Sequence, residues 1–373
     1  MPKFGCLLRP LTCLRVPCIV SSPWPPALFS PSIFCLRWTD SDDARTNHLH
    51  GWSTLAKLSV VVINWNTRRL LERCLESLFA SAADIKDLEV LVVDNGSSDG
   101  SAEMVASRFP LAALLANAEN MGFARANNLA MSRAAGDYIL ILNPDTEVVG
   151  TAVPEMLRFA DDHPDVAVVG PQLLNPDGTI QSSRRRFPSA ATAFLESTVL
   201  QRWLPHHPAL QRFYMLDRDD WHTQEVDWVV GAALLVRRAA VLQVGTMDEG
   251  YFMYSEELDW CRRFAGAGWK VVYHPAARVI HHGGQGSDQD VFHRHTRFQH
   301  SKTRYFEKYY GRGFAQLLRV FLLANYLFLL AEDVVKFLLL RRKRPMRRER
   351  IVVLAKVVAW ELGWVLRWGK VSP

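Results

Sequence analysis

Acidic residues in this sequence follow short apolar runs, where a folded chain presents side chains to ligands. Asp94 and Asp99 flank a loop of small residues after the run from Leu88 to Val93. Carboxylates there suit the hydroxyl and amide donors of a ribose or base, and the loop N–H groups suit phosphate. Asp99 and the neighbouring serines are also good helix N-caps, so the pattern alone leaves both interpretations open.

A second candidate, Asp145, follows the apolar run from Tyr138 to Leu142, and Pro144 restricts the backbone before it. A hard divalent ion on a diphosphate needs one or two carboxylates and takes its other ligands from water and phosphate. Asp145 is therefore a candidate metal ligand, although Asn-Pro-Asp-Thr is also typical of a turn. His281 and His282, which precede two glycines, are further candidate ligands.

The third acidic group begins a helix predicted over residues 256–265. Glu256 and Asp259 share one side of it, and Glu257 lies about 100° away. Clustered carboxylates can raise one another's pKa, which suits a general base. A helix dipole alone also favours acids at its N-terminus, but Trp260 and Cys261 predict that this helix is at least half buried.

Alternating strands and helices position these residues. The first half predicts buried strands of a parallel sheet, each followed by a polar loop and a helix, which is the doubly wound α/β pattern. Polar loops at the carboxyl ends of parallel strands lie at one sheet edge, so we expect the acids to converge there. The predicted strands cover Leu58 to Ile63, Leu88 to Val93, Tyr138 to Leu142, Val166 to Val169, Val226 to Val236, Lys270 to Tyr273 and Ala277 to His281.

Composition excludes several classes of protein. The net charge of +6 resides entirely in residues 341–350, with seven basic residues and one acid, so we expect no nucleic-acid partner. The apolar fraction of 49% excludes a disordered chain. After residue 55 the sequence has only two cysteines, Cys74 and Cys261, which form no disulfide framework and no zinc motif. This indicates a protein of a reducing compartment.

Three regions are predicted. Residues 1–55 contain many prolines, and their apolar residues follow neither a helical nor a strand periodicity, which indicates a disordered tail rather than a targeting segment. Residues 56–290 are expected to form the α/β domain. Residues 291–373 are helical and basic. Their cleanest apolar stretch, Val320 to Ala331, is too short to span a bilayer. Trp360, Trp364 and Trp368 share a helix face, which predicts membrane-surface attachment, with packing on the α/β domain or a second copy as the alternative.

Seven motifs in order resemble family-2 glycosyltransferases, in particular their rhamnosyltransferase-like branch, over about residues 56–290. The motifs are Val60 to Asn66, Val-Val-Asp94-Asn-Gly-Ser-Ser-Asp99-Gly, Asn120-Met-Gly-Phe, Leu-Asn-Pro-Asp145, Asp227-Trp-Val-Val-Gly231, Glu256-Glu-Leu-Asp-Trp-Cys-Arg and His281-His-Gly-Gly.

This resemblance implies a GT-A fold and an inverting transfer, with Mg2+ or Mn2+, from a nucleotide-diphosphate sugar such as dTDP-rhamnose. Asp145 matches the last acid of the metal-binding DxD-type motif, where Asn143 replaces the first acid, and His281 or His282 matches a diphosphate or metal contact. Trp65 is expected near the base and Asp94 on base or ribose. The full nucleotide-sugar set is Asn64, Trp65, Asn66, Asp94, Asn95, Asp99, Gly122, Asn128 and Asn143.

The resemblance also implies the catalytic side. Glu257 stands where the family has a catalytic Asp; its extra methylene moves the carboxylate outward, so Asp259 is the alternative base. Asp227, Trp228, Gly231 and Glu256 are expected on the acceptor side. The acceptor is expected to be a glycan or lipid-linked sugar in cell-surface polysaccharide synthesis, used at the inner face of the cytoplasmic membrane.

Two rival interpretations come from other classes. A catalytically inactive relative that binds nucleotide-sugars as a partner subunit would lack the acids, which are all present here. A dinucleotide-dependent oxidoreductase would carry G-x-G-x-x-G after the first strand, where Asn64-Trp65-Asn66-Thr67 stands instead.

Overall fold

A computed structural model of the chain describes residues 58–284, 289–340 and 343–367. The predicted N-terminal tail therefore lies outside the described residues. The strands are β1 (Leu58–Asn64), β2 (Leu88–Asp94), β3 (Ala112–Ala116), β4 (Tyr138–Leu142), β5 (Thr146–Val149), β6 (Val166–Leu174), β7 (Ile180–Gln181), β8 (Arg184–Arg185), β9 (Gln224–Val226), β10 (Trp228–Val229), β11 (Ala233–Arg237) and β12 (Lys270–His281).

Helices connect these strands and form the C-terminal part of the chain. They are α1 (Arg68–Ser81), α2 (Ser101–Arg108), α3 (Phe123–Met131), α4 (Ala152–Asp162), α5 (Ala190–Leu195), α6 (Val199–Trp203), α7 (Pro208–Phe213), α8 (Arg238–Val244), α9 (Glu256–Gly266), α10 (Val291–Tyr310), α11 (Arg312–Leu339) and α12 (Arg344–Arg367).

The main sheet runs in the order β3-β2-β1-β4-β11-β6-β12-β5. Its first four strands are parallel, and their order is that of a doubly wound nucleotide-binding half. β11 then pairs antiparallel with both β4 and β6, whereas β12 runs parallel to β6. The predicted fold class, a mostly parallel GT-A-type sheet with a helical C-terminal extension, is confirmed.

Alternate residues of β1 enter two cores because helices cover both faces of the sheet. Val60 and Val62 pack into one cluster, together with residues of α1, α2 and α4. Val61 and Ile63 pack into the other, with residues of α3, α8 and α9. Burial on both faces explains why β1 appears in the sequence as a continuous β-branched run.

Two strands differ from their predicted bounds. The predicted strand from Val226 to Val236 is wrong as a single element, because a tight turn interrupts it: the Ala232 N–H donates to the Val230 carbonyl, 2.8 Å away. The two predicted strands at the end of the α/β region are instead one, β12, whose register shifts between His274 and Arg278. Because of this turn, the backbone N–H of Gly231 forms no strand hydrogen bond within the described residues and faces Glu257 of α9 instead.

The C-terminal helices pack on the α/β body. Tyr305 and Phe306 of α10 share a core cluster with Tyr251 and Leu258. The indole of Trp364 lies against the His300 ring, with ring centroids 5.5 Å apart, and Arg319 stacks over it at 4.2 Å. Trp364, one of the tryptophans expected to face a membrane, is instead held between helices, and Trp368 lies outside the described residues; attachment of the C-terminal region to a membrane stays a prediction.

The prediction that no C-terminal stretch is long enough to cross a bilayer is also wrong. α11 has 28 residues and is long and apolar enough to do so by length and composition, the one such helix among the described residues. About a third of that apolar stretch is buried in the protein, and core helices can pass the same test.

A substitution at Gly136 would test how tightly the sheet is packed. A Cβ there would lie 2.5 Å from the Ser59 N and 2.8 Å from the Tyr138 O, and backbone atoms cannot move aside. We expect Gly136→Ala to lower the free energy of unfolding by about 2 kcal/mol, measured by urea denaturation. The matched change Gly313→Ala, in a helix with open space, should be neutral or stabilising. Equal unfolding midpoints for both variants would contradict the packing.

Candidate active site

A hydrogen-bonded bridge joins the carboxyl ends of β1 and β2. The buried Asn64 donates its amide to Asp94 Oδ1 at 2.9 Å and to Ser97 Oγ at 3.1 Å, and accepts from the Thr67 hydroxyl at 2.7 Å. The other Asp94 oxygen accepts the Ser97 N–H at 3.0 Å. Asp94 therefore shapes the loop at its own strand end, with its carboxylate fixed before any ligand arrives.

Beside this bridge lies a cavity of about 440 Å³. Asn66, in the left-handed region at φ +53°, accepts the Ser98 N–H at 2.8 Å, and Trp65 before it is half-buried. Asp99 accepts the Arg68 N–H at 2.8 Å. Burial opposes the ionisation of Asp99, but hydrogen bonds from Ser101 and Arg68 outweigh it and lower its pKa. The cavity is lined by Asn66, Thr67, Arg68, Arg69, Leu70, Asp99 and Gln289.

Three other predicted nucleotide-sugar residues hold loops together. Asn95 donates its amide to Asn120 Oδ1 at 2.9 Å and accepts the Asn117 amide at 3.1 Å. The Asn128 side chain donates to the Met247 carbonyl and accepts the Met247 N–H. Gly122, at φ +90°, lies so close to Phe252 that a Cβ would meet its carbonyl at 2.7 Å. Structure thus gives each of the three a positioning role, and ligand contact by them stays a prediction.

The end of β4 carries the candidate metal ligands. Asn143 Oδ1 is buried and has no hydrogen-bond partner among the described residues. Asp145, also buried, lies with its Oδ1 3.4 Å from His281 Nε2. His281 Nδ1 lies 2.7 Å from Gln181 Oε1, and this contact orients the ring so that Nε2 faces Asp145.

His282 faces away from this group. Its Nε2 lies 2.7 Å from Glu147 Oε1, and its backbone N–H donates to the Asp145 carbonyl at 2.9 Å. Of the adjacent pair, His281 is therefore the one that the structure brings to the Asp145 carboxylate. No three His, Cys, Asp or Glu side chains gather as a metal site within the described ranges, so an ion here would need ligands from its substrate.

The acidic end of α9 is held by an unusual backbone. Tyr254 and Ser255 have φ angles of +73° and +64°, left-handed values that cost non-glycine residues about 1–3 kcal/mol each and cluster at functional sites. Glu257 Oε1 accepts the Gly231 N–H at 3.4 Å. Oε2 of Glu256 and Oε2 of Glu257 are both buried without a hydrogen-bond partner among the described residues.

These two glutamates are electrostatically strained. Burial, and then the negative charge of Glu257, raise the pKa of Glu256 well above its ordinary value. Burial also raises the pKa of Glu257, against opposing hydrogen bonds from its own N–H, Gly231 and Leu258. A carboxyl group with a raised pKa binds a proton more tightly, which is what a general base requires.

Asp259 occupies a different environment. It is fully buried, with Oδ2 3.0 Å from Arg263 Nε, and Oδ1 2.7 Å from Lys308 Nζ and 2.8 Å from the Tyr309 hydroxyl. Two cations and a hydroxyl from α9 and α10 therefore neutralise its charge. The structure does not bring Asp259 to an open surface where an acceptor hydroxyl could meet it.

The predicted acceptor side extends from Gly231 along β10. Trp228 donates its indole N–H to the Arg186 carbonyl at 3.1 Å, and Asp227 accepts the Phe187 N–H at 2.6 Å. Both side chains thus fasten the segment after β8. A cavity of about 510 Å³ opens there, lined by Arg186, Arg212, Met215, Arg218, Glu225, Val226 and Asp227.

Strand register brings the glutamates close to the candidate metal ligands. The Asn143 N–H donates to the Ala232 carbonyl at 2.9 Å, and the next residue back, Gly231, contacts Glu257. At the other side, Thr146 pairs with His281. Asn143, Asp145, His281 and Glu257 therefore meet at one edge, while Asp259 and His282 do not join them.

Sequence patterns did not reveal several residues on which this geometry depends. Gln181 orients the ring of His281, and Lys308 and Tyr309 of α10 neutralise Asp259. None of them belongs to a recognisable motif, because each acts through a contact between residues at least 49 positions apart. The unpaired Asn143 oxygen is likewise visible only once its surroundings are known.

The chain is similar in sequence to proteins of known family. The family model described as glycosyl transferase family 2 matches residues 59–245, which is half of the chain. The chain is 34% identical over 244 residues to the N-acetylglucosaminyl-diphospho-decaprenol L-rhamnosyltransferase of Mycobacterium tuberculosis, covering 62% of this chain and 78% of that protein. It is 27% identical over 169 residues to the rhamnosyltransferase WbbL of Escherichia coli, covering 43% and 61%.

Among solved structures, the chain superposes on the mannosyltransferase PcManGT from Pyrobaculum calidifontis in complex with GDP-Man and Mn2+. The TM-score is 0.47 at 17% sequence identity, over 86% of this chain and 89% of that one.

Because the pKa of Glu256 is raised in the folded chain, the fold is more stable when Glu256 is protonated than when it is ionised. Above the ordinary glutamate pKa of about 4.3, the unfolded chain releases this proton while the folded chain retains it, so stability falls as pH rises. We expect Glu256→Gln to unfold at a higher temperature than the parent at pH 8 and at a similar one near pH 4, measured by differential scanning fluorimetry.

The exposed Glu119→Gln serves as the control for the same change of side chain at a surface position. A pH-independent difference for Glu256→Gln would show that Glu256 is ionised at ordinary cost in the folded chain.

Proposed function

Because this chain belongs to glycosyltransferase family 2, we propose that it transfers a sugar, with inversion, from a nucleotide-diphosphate donor to an acceptor hydroxyl. The observation that carries the proposal is the convergence of Glu257 with Asn143 and Asp145 through the paired ends of β4 and β11. A proton acceptor and the oxygen ligands for a diphosphate-bound ion thus lie at the same sheet edge. Neither group alone would distinguish a transferase from a binding protein.

The donor nucleotide binds beside β1 and β2 in this proposal. Asn64 and Asp94 hold the loop there, and Trp65 offers a half-buried ring for stacking with the base. Both rhamnosyltransferase relatives support rhamnose as the transferred sugar, and dTDP-rhamnose as the donor follows from that. Turnover of a panel of nucleotide-sugars by the purified protein tests this choice directly.

The metal proposal rests on the chemistry of the donor set. Oxygen atoms of Asn143 and Asp145, with His281 Nε2 beside them, suit Mg2+ or Mn2+, whose remaining ligands would be phosphate oxygens and water. The buried, unpaired Asn143 Oδ1 supports this fit, since a bound cation would satisfy it. When bound, the ion would neutralise negative charge on the leaving diphosphate.

Glu257 is the proposed general base. Its carboxylate accepts the proton of the acceptor hydroxyl as that oxygen attacks C1 of the sugar from the face opposite the diphosphate. One bond to C1 forms as the bond to the diphosphate oxygen breaks, so configuration inverts in a single displacement. The Gly231 N–H holds Oε1, which leaves Oε2 to take the proton. Burial of this carboxyl group is what raises its pKa.

The acceptor is proposed to be a sugar on a lipid diphosphate, used in cell-surface polysaccharide synthesis. The Mycobacterium relative acts on N-acetylglucosaminyl-diphospho-decaprenol by its name. Three arginines line the cavity next to Asp227, and guanidinium groups suit an anionic acceptor. Such a substrate would place the enzyme at the cytoplasmic face of the membrane. An inactive, donor-binding relative is less well supported, because Asp94, Asp145 and Glu257 are all retained.

Glu257→Gln should lower the rate of sugar transfer by several orders of magnitude and leave the donor dissociation constant near that of the parent, because the amide cannot accept the proton. Asp259→Asn is the matched control on the same helix. Since Asp259 pairs with Arg263 and Lys308, its replacement should lower the thermal stability more than the rate of a folded sample. Loss of donor affinity in Glu257→Gln, with transfer otherwise unchanged, would contradict its role as base.

Asp145→Ala is expected to abolish turnover and to weaken the binding of Mn2+, measured by isothermal titration calorimetry in the presence of the nucleoside diphosphate. Excess EDTA should stop the parent enzyme, and added Mg2+ or Mn2+ should restore it. The exposed Asp84→Ala should behave as the parent. Full activity in EDTA would remove the metal from the proposal while leaving Glu257 in place.

A further inference from the structure

One face of α11 is apolar and uncovered along most of the helix. Leu338 and Leu339 are 64% and 74% exposed, Leu317 is 59% exposed and Leu327 is 45% exposed. Every exposed residue of α11 after Gly313 is Leu, Val, Ala or Phe. We name this surface the apolar stripe; it consists of Leu317, Val320, Ala324, Leu327, Phe328, Ala331, Val335, Leu338 and Leu339.

These residues form a continuous stripe. At 3.6 residues per turn they fall within about 120° of the helix circumference, and at 1.5 Å per residue they extend over about 33 Å. Trp203 of α6 continues the stripe sideways: its ring packs edge-on against Phe328 at 5.2 Å and is 54% exposed. An uncovered apolar surface of this extent marks an interaction site.

The charged residues of α11 do not interrupt the stripe. Glu332 is paired with Arg202 at 3.0 Å and with Lys336 at 2.6 Å, while the buried Asp333 pairs with Arg350 at 3.0 Å. Both acids are thus neutralised and lie outside the apolar face. This explains why a count of consecutive apolar residues in the sequence underestimated the length of the apolar surface of α11.

Positive charge lies at the C-terminal end of the stripe. Arg344 donates to the carbonyls of Phe337 and Leu338, at 3.1 and 3.3 Å, which fixes a guanidinium beside the last apolar residues. Lys343 and Arg348 are exposed next to it. An apolar face edged by cations and a tryptophan matches the interfacial zone of an anionic lipid leaflet.

We propose that the apolar stripe docks the enzyme on the surface of a bilayer containing anionic lipid. A second copy of this chain would carry the same positive charge, so it would not neutralise the basic end, whereas lipid phosphates would. The chain that follows the acceptor-side strand β8 runs through α5 to Trp203 at the stripe. The link to a lipid-borne acceptor rests on the proposed function, but docking itself does not.

The test is sedimentation of the full chain with vesicles of phosphatidylcholine alone or mixed with phosphatidylglycerol, at low and high salt. We expect the parent to pellet with mixed vesicles at low salt and to be partly released by high salt. Leu327→Glu/Leu338→Glu should weaken this binding about tenfold or more. Leu111→Glu/Leu242→Glu adds the same charge at two residues that are each 77% exposed elsewhere, and should bind like the parent.

A second variant, Lys343→Gln/Arg344→Gln/Arg348→Gln, should reduce binding to mixed vesicles to the level seen with phosphatidylcholine alone. Parent protein that stays in the supernatant at low salt, or equal binding by the two leucine variants, would overturn the proposal. So would a dimer that Leu327→Glu/Leu338→Glu converts to monomer with no change in vesicle binding. Vesicle binding without any transfer of sugar would count against the proposed function alone.

Discussion

The antiparallel pairing of β11 with β4 is the constraint on which the site depends. It sets Ala233 opposite Leu142, so that the Ala232 carbonyl accepts the Asn143 N–H and the Gly231 N–H faces Glu257. A parallel sheet alone would collect the loops of β1, β2 and β4 without supplying the proposed base. The reversed strand brings residues from the second half of the chain to the same edge. A shift of one residue would turn β11 side chains to the opposite face and remove Glu257 from β4.

The three acids at the start of α9 show how surroundings decide chemical role. Asp259 is buried among Arg263, Lys308 and Tyr309, so its charge is compensated and its oxygens are occupied. Glu257 is held by uncharged backbone N–H groups, among them that of Gly231 at 3.4 Å, and Glu256 has a buried oxygen without a partner among the described residues. Uncompensated burial costs stability, as does the left-handed backbone at Tyr254 and Ser255. Substitutions that restored this lost stability would also remove the reactive carboxyl groups, which is why such destabilising features are retained at functional sites.

Sequence periodicity was sufficient for the strands of the parallel half and for α9, whose apolar patterns come from burial. It failed where a single local contact decides the structure, as at Gly231, where a tight turn interrupts a run that is apolar on both sides of the turn. Motifs made Asp145 a candidate metal ligand and Glu257 a candidate base, but spacing could not separate Glu257 from Asp259, since both lie in one helical turn. That distinction comes from Lys308 and Tyr309, about 50 residues away, and no local pattern records which helix will pack there.

The same contacts couple the C-terminal helices to the acidic site. Lys308 and Tyr309 reach Asp259 from the last turn of α10, and Arg304 of the same helix pairs with Asp248 at 2.9 Å, before the strained turn at Tyr254. α10 then passes through Gly311, at φ +86°, directly into α11. Because Asp259 is buried, separating α10 from α9 would remove Lys308 and Tyr309 from its carboxylate, so this separation would cost free energy. These contacts join the start of α9 to the end of α10, and α10 leads directly into α11, so a surface that α11 contacts is held at a defined position relative to Glu257.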